Sequence, residues 1–264
     1  MSFDQGSLLA IDAGNTRTKW ALFDATREIS SQGACLNADL ASAEFLPKDS
    51  LCKTVIIANV AGAAIAHKLT EKCQALGLAI TWAKASDIAC GVTNHYDNPT
   101  QLGVDRWAAL IAAWDIYKTP CLVVSLGTAV TIDALTATPN SAEFFGGVIV
   151  PGLKLLQQTL VSGTSDIANG VASKTGKFEN FPTNTADAVQ TGAYLALIGA
   201  IAEMAEKLQA HIGNQQAVII LSGGDANILM PLLATKFNTD SIKRVFVHDN
   251  LVLQGLYLLE REQE

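Results

Sequence analysis

The chain has 264 residues, 49% of them hydrophobic and 16% charged, and a formal net charge of −7. This apolar share supports a sizeable core and argues against intrinsic disorder, and the length fits one or two domains. The acidic balance speaks against a nucleic-acid partner, which calls for a basic face, but not against anionic ligands, which loops can hold with backbone dipoles.

In chain order, residues 7–33 read as strand, hairpin and strand, and the β-branched run Thr54–Ala58 as a buried strand. Helical spacing follows from Gly62 to Leu76, then a short strand from Leu78 to Trp82 and an Ala- and Trp-rich helix from Leu102 to Tyr117. A second half opens at Cys121 with hairpin strands reaching about Ile149, and Pro151 is placed to start a helix, where its missing N–H costs nothing. Ser162 to Pro182 is polar and aperiodic and reads as a surface loop. Ala186 to Leu208 reads as a long, largely buried helix, followed by the strand Val218–Leu221, a helix, the strand Arg244–Val247 and a last helix from Asn250. Strand-rich openings followed by alternating helices and strands predict an α/β fold with mixed sheets, in two halves, 1–118 and 119–264.

Five scattered cysteines without a Cys-x-x-Cys pair predict neither a disulfide framework nor a zinc site, and favour a reducing cytoplasm. The N-terminus lacks a basic n-region, and no apolar run of about 18 residues escapes interruption by Gly or polar groups, so neither a signal peptide nor a membrane span is expected. The histidines (His67, His95, His211, His248) lie far apart, without ligand spacing.

The two halves share a turn grammar. An apolar run ends in Asp12-Ala13-Gly14-Asn15-Thr16 and resumes at Lys19-Trp20; mid-chain, another ends in Ser125-Leu126-Gly127-Thr128-Ala129 and resumes at Val130. Each reads as a hairpin whose backbone N–H groups can line a phosphate, so that two half-domains grip one nucleotide. As turn chemistry alone, the same residues make an ordinary hairpin. No P-loop, Gly-x-Gly-x-x-Gly or Gly-x-Ser-x-Gly motif is present. Asp12, at a strand end, can position magnesium through water, while Gly14 permits close approach and Asn15, Thr16 and Lys19 can donate to phosphate oxygens. Gly103-Val104-Asp105-Arg106 opens a helix; Asp105 there is either a cap or a general base beside a cation. Gly223-Gly224 after a strand permits close approach of adenine or ribose, or is a plain turn.

The ordered set Asp12-x-Gly-Asn-Thr, Tyr96, Pro99, Gly103-x-Asp-Arg, Gly127-Thr-Ala-x-Thr, Gly146-Gly-x-Ile-x-Pro-Gly152, Asn184-Thr185 and Ser222-Gly-Gly-Asp225 resembles the type III pantothenate kinases, also called the Bvg accessory factor family. The resemblance covers nearly the whole chain and implies an acetate and sugar kinase/actin-like fold with two ribonuclease H-like halves. It implies a homodimer that phosphorylates pantothenate with ATP and a divalent cation such as Mg2+, the first step of coenzyme A synthesis. By similarity, Asp12, Ala13, Gly14, Asn15, Thr16, Arg17, Thr18 and Lys19 hold the ATP phosphates, with Asp12 near magnesium, and Thr128, Gly223 and Gly224 contact the nucleotide. Asp105 is the implied proton acceptor, and Tyr96, Gly103, Val104, Asp105, Arg106 and Thr185 form the implied pantothenate pocket. Charge complementarity further pairs Arg106 with the pantothenate carboxylate.

Many family members carry Asp where this chain has Ser125, and use it to bind potassium. A neutral hydroxyl replaces a carboxylate poorly in an oxygen-ligand cation site, so weak dependence on a monovalent cation is expected. Two alternatives stand beside this reading: a kinase of the same fold with another small acceptor, and a nucleotide-binding accessory protein without turnover. The second would not need Asp105.

Overall fold

The computed structural model describes residues 6–48, 50–163, 176–238 and 244–263. Two compact units divide it. The first comprises Met1–Lys118, Ala137–Phe144 and Asn250–Glu264, and the second Thr119–Thr136 and Phe145–Asp249.

In the first unit, β1 (Leu8–Ala13), β2 (Arg17–Phe23), β3 (Ile29–Leu36), β4 (Thr54–Asn59) and β5 (Ala79–Trp82) form one sheet, ordered β3-β2-β1-β4-β5. β1 is antiparallel to β2 and parallel to β4. A central strand with neighbours on both sides must hide both faces, which is why Leu8-Leu9-Ala10-Ile11 is unbroken apolar sequence and wholly buried. Between β4 and β5 runs α1 (Ala63–Ala75), which buries Ile65, Leu69 and Cys73 at helical spacing. Trp20, Phe45, Val55 and Ile57 fill the same core, with the Trp20 and Phe45 rings 5.0 Å apart.

α2 (Val104–Tyr117) is buried along nearly its whole length and ends at Lys118, whose φ of 47° is left-handed. Two short strands, β6 (Ile88–Ala89) and β7 (Val92–Asn94), precede it. Their brevity leaves no period for sequence reading to detect.

The second unit repeats the plan. β8 (Cys121–Leu126), β9 (Ala129–Ala137), β10 (Ala142–Pro151), β11 (Val218–Ser222) and β12 (Val245–Val247) run in the order β10-β9-β8-β11-β12. β8 pairs antiparallel with β9 and parallel with β11, as β1 does with β2 and β4. The helices are α3 (Leu153–Gly163), α4 (Thr185–Ile212) and α5 (Ala226–Phe237). α4 has the length and hydropathy of a membrane span; one side of it, with Leu197, Ile201 and Leu208, is buried in the core of this unit with Leu122, Val124 and Leu221, but most of its length is not, so the expected largely buried helix is only partly so.

Three expectations are corrected. The span 119–264 is not one unit, because the last helix, α6 (Leu251–Gln263), belongs to the first. Gly255 brings it so close to α2 that a Cβ there would collide with the Ala108 carbonyl, and Tyr257 meets Phe23 at 4.9 Å between ring centroids. Pro151 ends β10 rather than starting a helix; α3 begins at Leu153, after Gly152. Of the expected loop 162–182, Ser162 and Gly163 close α3, and residues 164–175 lie outside the described residues. Cys52, Cys73 and Cys121 are buried, and burial pushes the Cys73 thiol up to about 11 and the Cys121 thiol up to about 12.

Candidate active site

The first loop joins β1 to β2. Gly14 N–H donates to the Arg17 carbonyl at 3.0 Å, closing a tight turn that leaves Asn15, Thr16 and Arg17 exposed. Asp12 and Lys19 face one another across the ladder. Thr18, expected among the nucleotide contacts, is fully buried and donates instead to Asn37 Oδ1 at 2.9 Å. Its hydroxyl, with no exposed surface, shapes the loop and leaves only its backbone to face a ligand. Ala13 is buried as well, so only its backbone can contribute.

Asp12 is half-buried, and its carboxyl is pushed up from an ordinary 3.8 to about 7. Burial is the main cause, and the charge of Asp105 adds to it, while Lys19 works the other way. The electrostatic coupling brings Asp105, 93 positions along the chain from Asp12, into the same neighbourhood of the first unit. Among the described residues no three His, Cys, Asp or Glu side chains gather to cage a metal. Mg2+ needs no cage: one carboxylate with phosphate oxygens and waters suffices, and Asp12 fits that donor set.

Asp105 stands in the first turn of α2, behind the N-cap Gly103. Its Oδ1 accepts the Arg106 N–H at 2.9 Å, and a Cβ on Gly103 would lie 2.6 Å from that oxygen. Gly103 is therefore the residue that lets the carboxylate fold over the helix start. Arg106 is only 6% exposed. Its Nη1 donates to Tyr96 Oη at 2.8 Å, and the guanidinium lies 5.5 Å from the Tyr96 ring centre and 5.9 Å from that of Phe144. So placed, Arg106 orients Tyr96. Phe144, which sequence reading missed, packs 5.4 Å from the Tyr96 ring and comes from β10, where it pairs with Asn94. The nearby Asn94 accepts the Tyr96 N–H at 3.1 Å. Phe144 has no local signal, since only the β10–β7 ladder brings it to Tyr96, whereas Asn94 lies two positions before Tyr96 and holds it through a local Asx turn.

The second loop joins β8 to β9, in the position the first occupies in its own unit. Gly127 N–H donates to the Ala129 carbonyl at 3.1 Å, and Gly127 and Thr128 are exposed. Gly152 N–H donates to the Thr128 carbonyl at 2.9 Å, and a Cβ on Gly152 would collide with Gly127. Gly223 approaches from β11 with φ +103°, where a Cβ would strike the Leu126 carbonyl. Gly224 beside it is exposed and has nothing within 4 Å of an added Cβ. Ser125 pairs with Thr131 and Ser222, so three hydroxyls share one face of this sheet, and Thr131 Oγ1 is buried without a hydrogen-bond partner. Thr185 is exposed in the first turn of α4, behind the N-cap Asn184, whose side chain accepts the Asp187 N–H.

Two units of one strand order, each with an exposed glycine loop between its first two strands, define a protein of the acetate and sugar kinase/actin-like class. Solved structures of the same fold include a Baf family protein from Campylobacter jejuni, with a TM-score of 0.58 at 17% identity, covering 97% of this chain and 98% of that one. Another is a protein from Sinorhizobium meliloti assigned as a 2-dehydro-3-deoxygalactonokinase, at TM-score 0.55 and 17% identity, covering 96% and 98%. Within this class the family model of type III pantothenate kinase matches residues 8–207. The chain is also 45% identical over 256 residues to the type III pantothenate kinase of Methylobacillus flagellatus, covering 96% of this chain and 98% of that protein. This chain belongs to the type III pantothenate kinase family.

Proposed function

We propose that this protein transfers the terminal phosphoryl group of ATP to the hydroxyl of pantothenate, giving 4′-phosphopantothenate and ADP for coenzyme A synthesis. Family membership supports the reaction, and the observation that carries the assignment of roles is the Asp105 carboxylate folded over the start of α2, next to the Arg106–Tyr96 pair. Residues Asp12 to Lys19 hold the phosphates through backbone N–H groups and the side chains of Asn15, Thr16, Arg17 and Lys19. Thr128, which is exposed, and the Gly223-Gly224 turn are further nucleotide contacts that the family's motifs imply. Asp105 accepts the proton of the pantothenate hydroxyl as its oxygen attacks the γ-phosphorus and the bond to ADP breaks. Tyr96, held by Arg106, lines the acceptor pocket with Gly103 and Val104, and Thr185 is a further pantothenate contact that the family's motifs imply. A bound Mg2+, held by Asp12 with phosphate oxygens and water, supplies charge neutralisation on the phosphates.

Three finer points belong to the same reading. Ser125, Thr131 and Ser222 are neutral oxygens, so the protein lacks a tight monovalent cation site, and strong, saturable activation by potassium over sodium would overturn this. It works as a homodimer. It acts in the cytoplasm, apart from nucleic acid and membrane, in keeping with its net charge of −7 and its buried thiols.

The test is ADP release with ATP, magnesium and pantothenate against a blank without pantothenate. Pantothenate-dependent release is expected. ATP binding without release for any of a panel of small hydroxyl acceptors would instead favour the accessory reading.

A further inference from the structure

The first loop is built on a residue outside every motif in the chain. We propose that Asn37 is a positioning residue of the phosphate-holding loop, acting as a clamp that fixes the peptide planes of Gly14 to Arg17. The inference rests on the reading of that loop given above.

Asn37 follows the end of β3 and is half-buried, where the chain turns into the short 3-10 segment Asn37–Ser42. Its side-chain amide donates to the Gly14 carbonyl at 2.8 Å and to the Asn15 carbonyl at 3.1 Å. Its own backbone N–H donates to the Thr16 carbonyl at 3.1 Å. Its Oδ1 in turn accepts the hydroxyl of the buried Thr18 at 2.9 Å, which fixes which end of the amide faces the loop. One residue therefore holds three consecutive carbonyl oxygens.

The consequence for an anion follows from peptide geometry. C=O and N–H are trans across one rigid plane, so fixing the carbonyls of Gly14, Asn15 and Thr16 also fixes the N–H directions of Asn15, Thr16 and Arg17. A carbonyl released by loss of its donor is able to rotate outward and set its negative end against a phosphate. Donors fixed before the ligand arrives bind it without that reorganisation. The Gly14 N–H to Arg17 carbonyl bond alone closes the turn but leaves these planes unheld.

The test uses the full chain with Asn37→Ala and, separately, Thr18→Val, which removes only the hydroxyl that orients the amide. Two readouts are taken: amide hydrogen exchange of the peptide covering residues 13–18 without nucleotide, and the dissociation constant for ATP. Asn37→Ala is expected to speed exchange in that peptide and to weaken ATP binding about tenfold, the effect of losing one to two hydrogen bonds. The KM for pantothenate should stay within about twofold, which a general loss of structure would not spare. Thr18→Val should shift both readouts in the same direction by less. Unchanged exchange, or unchanged ATP affinity with exchange raised, overturns the clamp. Should Asn37→Ala fail to fold, Thr18→Val decides by the same two readouts. A wild-type chain that binds no ATP overturns the proposed reaction itself, a result distinct from a wild-type chain that binds ATP as its variants do.

Discussion

Asp12 is pushed towards neutrality by burial, with the charge of Asp105 adding to the effect. With its folded value at about 7 and its ordinary value at 3.8, Asp12 holds a proton in the folded state that the unfolded chain has already lost. The native state therefore binds more protons across that interval, and stability falls as pH rises through it. Above about pH 7 both states are ionised and the penalty is constant. Asp12→Asn removes it, so without nucleotide the variant should be more stable than the parent at pH 8, by on the order of 1–3 kcal/mol. The gap should narrow as the pH approaches 4, and thermal melts across that range check the sign. A gap that widens on acidification would refute the assignment. The same variant should lose ATP turnover, since a neutral amide neither holds Mg2+ nor neutralises Lys19. Asp105→Asn should behave differently: fold and ATP affinity stay, while kcat falls about 10²-fold or more, as for loss of a general base. Near-normal kcat would remove Asp105 from the proton transfer.

At the level of elements, both loops are hairpins set between the first two strands of a unit, but the second is held from outside by Gly152 and Gly223. This separates glycines that a motif treats alike. Gly223→Ala must place a Cβ against the Leu126 carbonyl at φ +103°, and should cost about 2 kcal/mol or more of stability. Gly224→Ala meets nothing within 4 Å, so it should melt as the parent does while weakening ATP binding, if adenine or ribose lies against that residue. Equal melting temperatures for the two variants would show that the close approach is not structural. The long periodic elements were legible in the sequence: Ile65 and Leu69 of α1 are buried as their spacing predicts, while Leu76 falls past the helix end and is exposed. The paired hairpins were legible too, since Gly14 and Gly127 sit where an apolar run breaks and resumes. What was not legible depends on contacts distant in sequence. Phe144 reaches Tyr96 through the β10–β7 ladder, Asn37 reaches Gly14 across 23 positions, and α6 joins the first unit because Gly255 fits against Ala108. Thr18 belongs to the nucleotide set through the family resemblance, not through its own chemistry. Strand alternation turns its side chain inward, towards Asn37.

For the whole molecule, the outer surface of the second unit poses a packing question. Leu195 in α4 is 53% exposed and Ile149 in β10 is 62% exposed, with Leu155 and Leu160 of α3 also exposed. α4 is apolar enough to cross a membrane, yet only 33% of that stretch is buried. Exposed apolar side chains on α4 and on α3 offer area for an interaction surface on a chain of net charge −7. A second copy is the occupant that the homodimer reading supplies, and a two-fold pairing needs only one self-complementary patch. Light scattering during gel filtration should therefore give twice the 27.9 kDa of one chain at micromolar concentration. Leu195→Glu would set a charge into that contact and should lower the association constant by at least about tenfold. Its near-ultraviolet circular dichroism should match the parent's, because Leu195 is not part of the core formed by Leu197 and Ile201. A parent that elutes as a monomer would refute the dimer. A dimer that survives Leu195→Glu unchanged would move the interface away from α4.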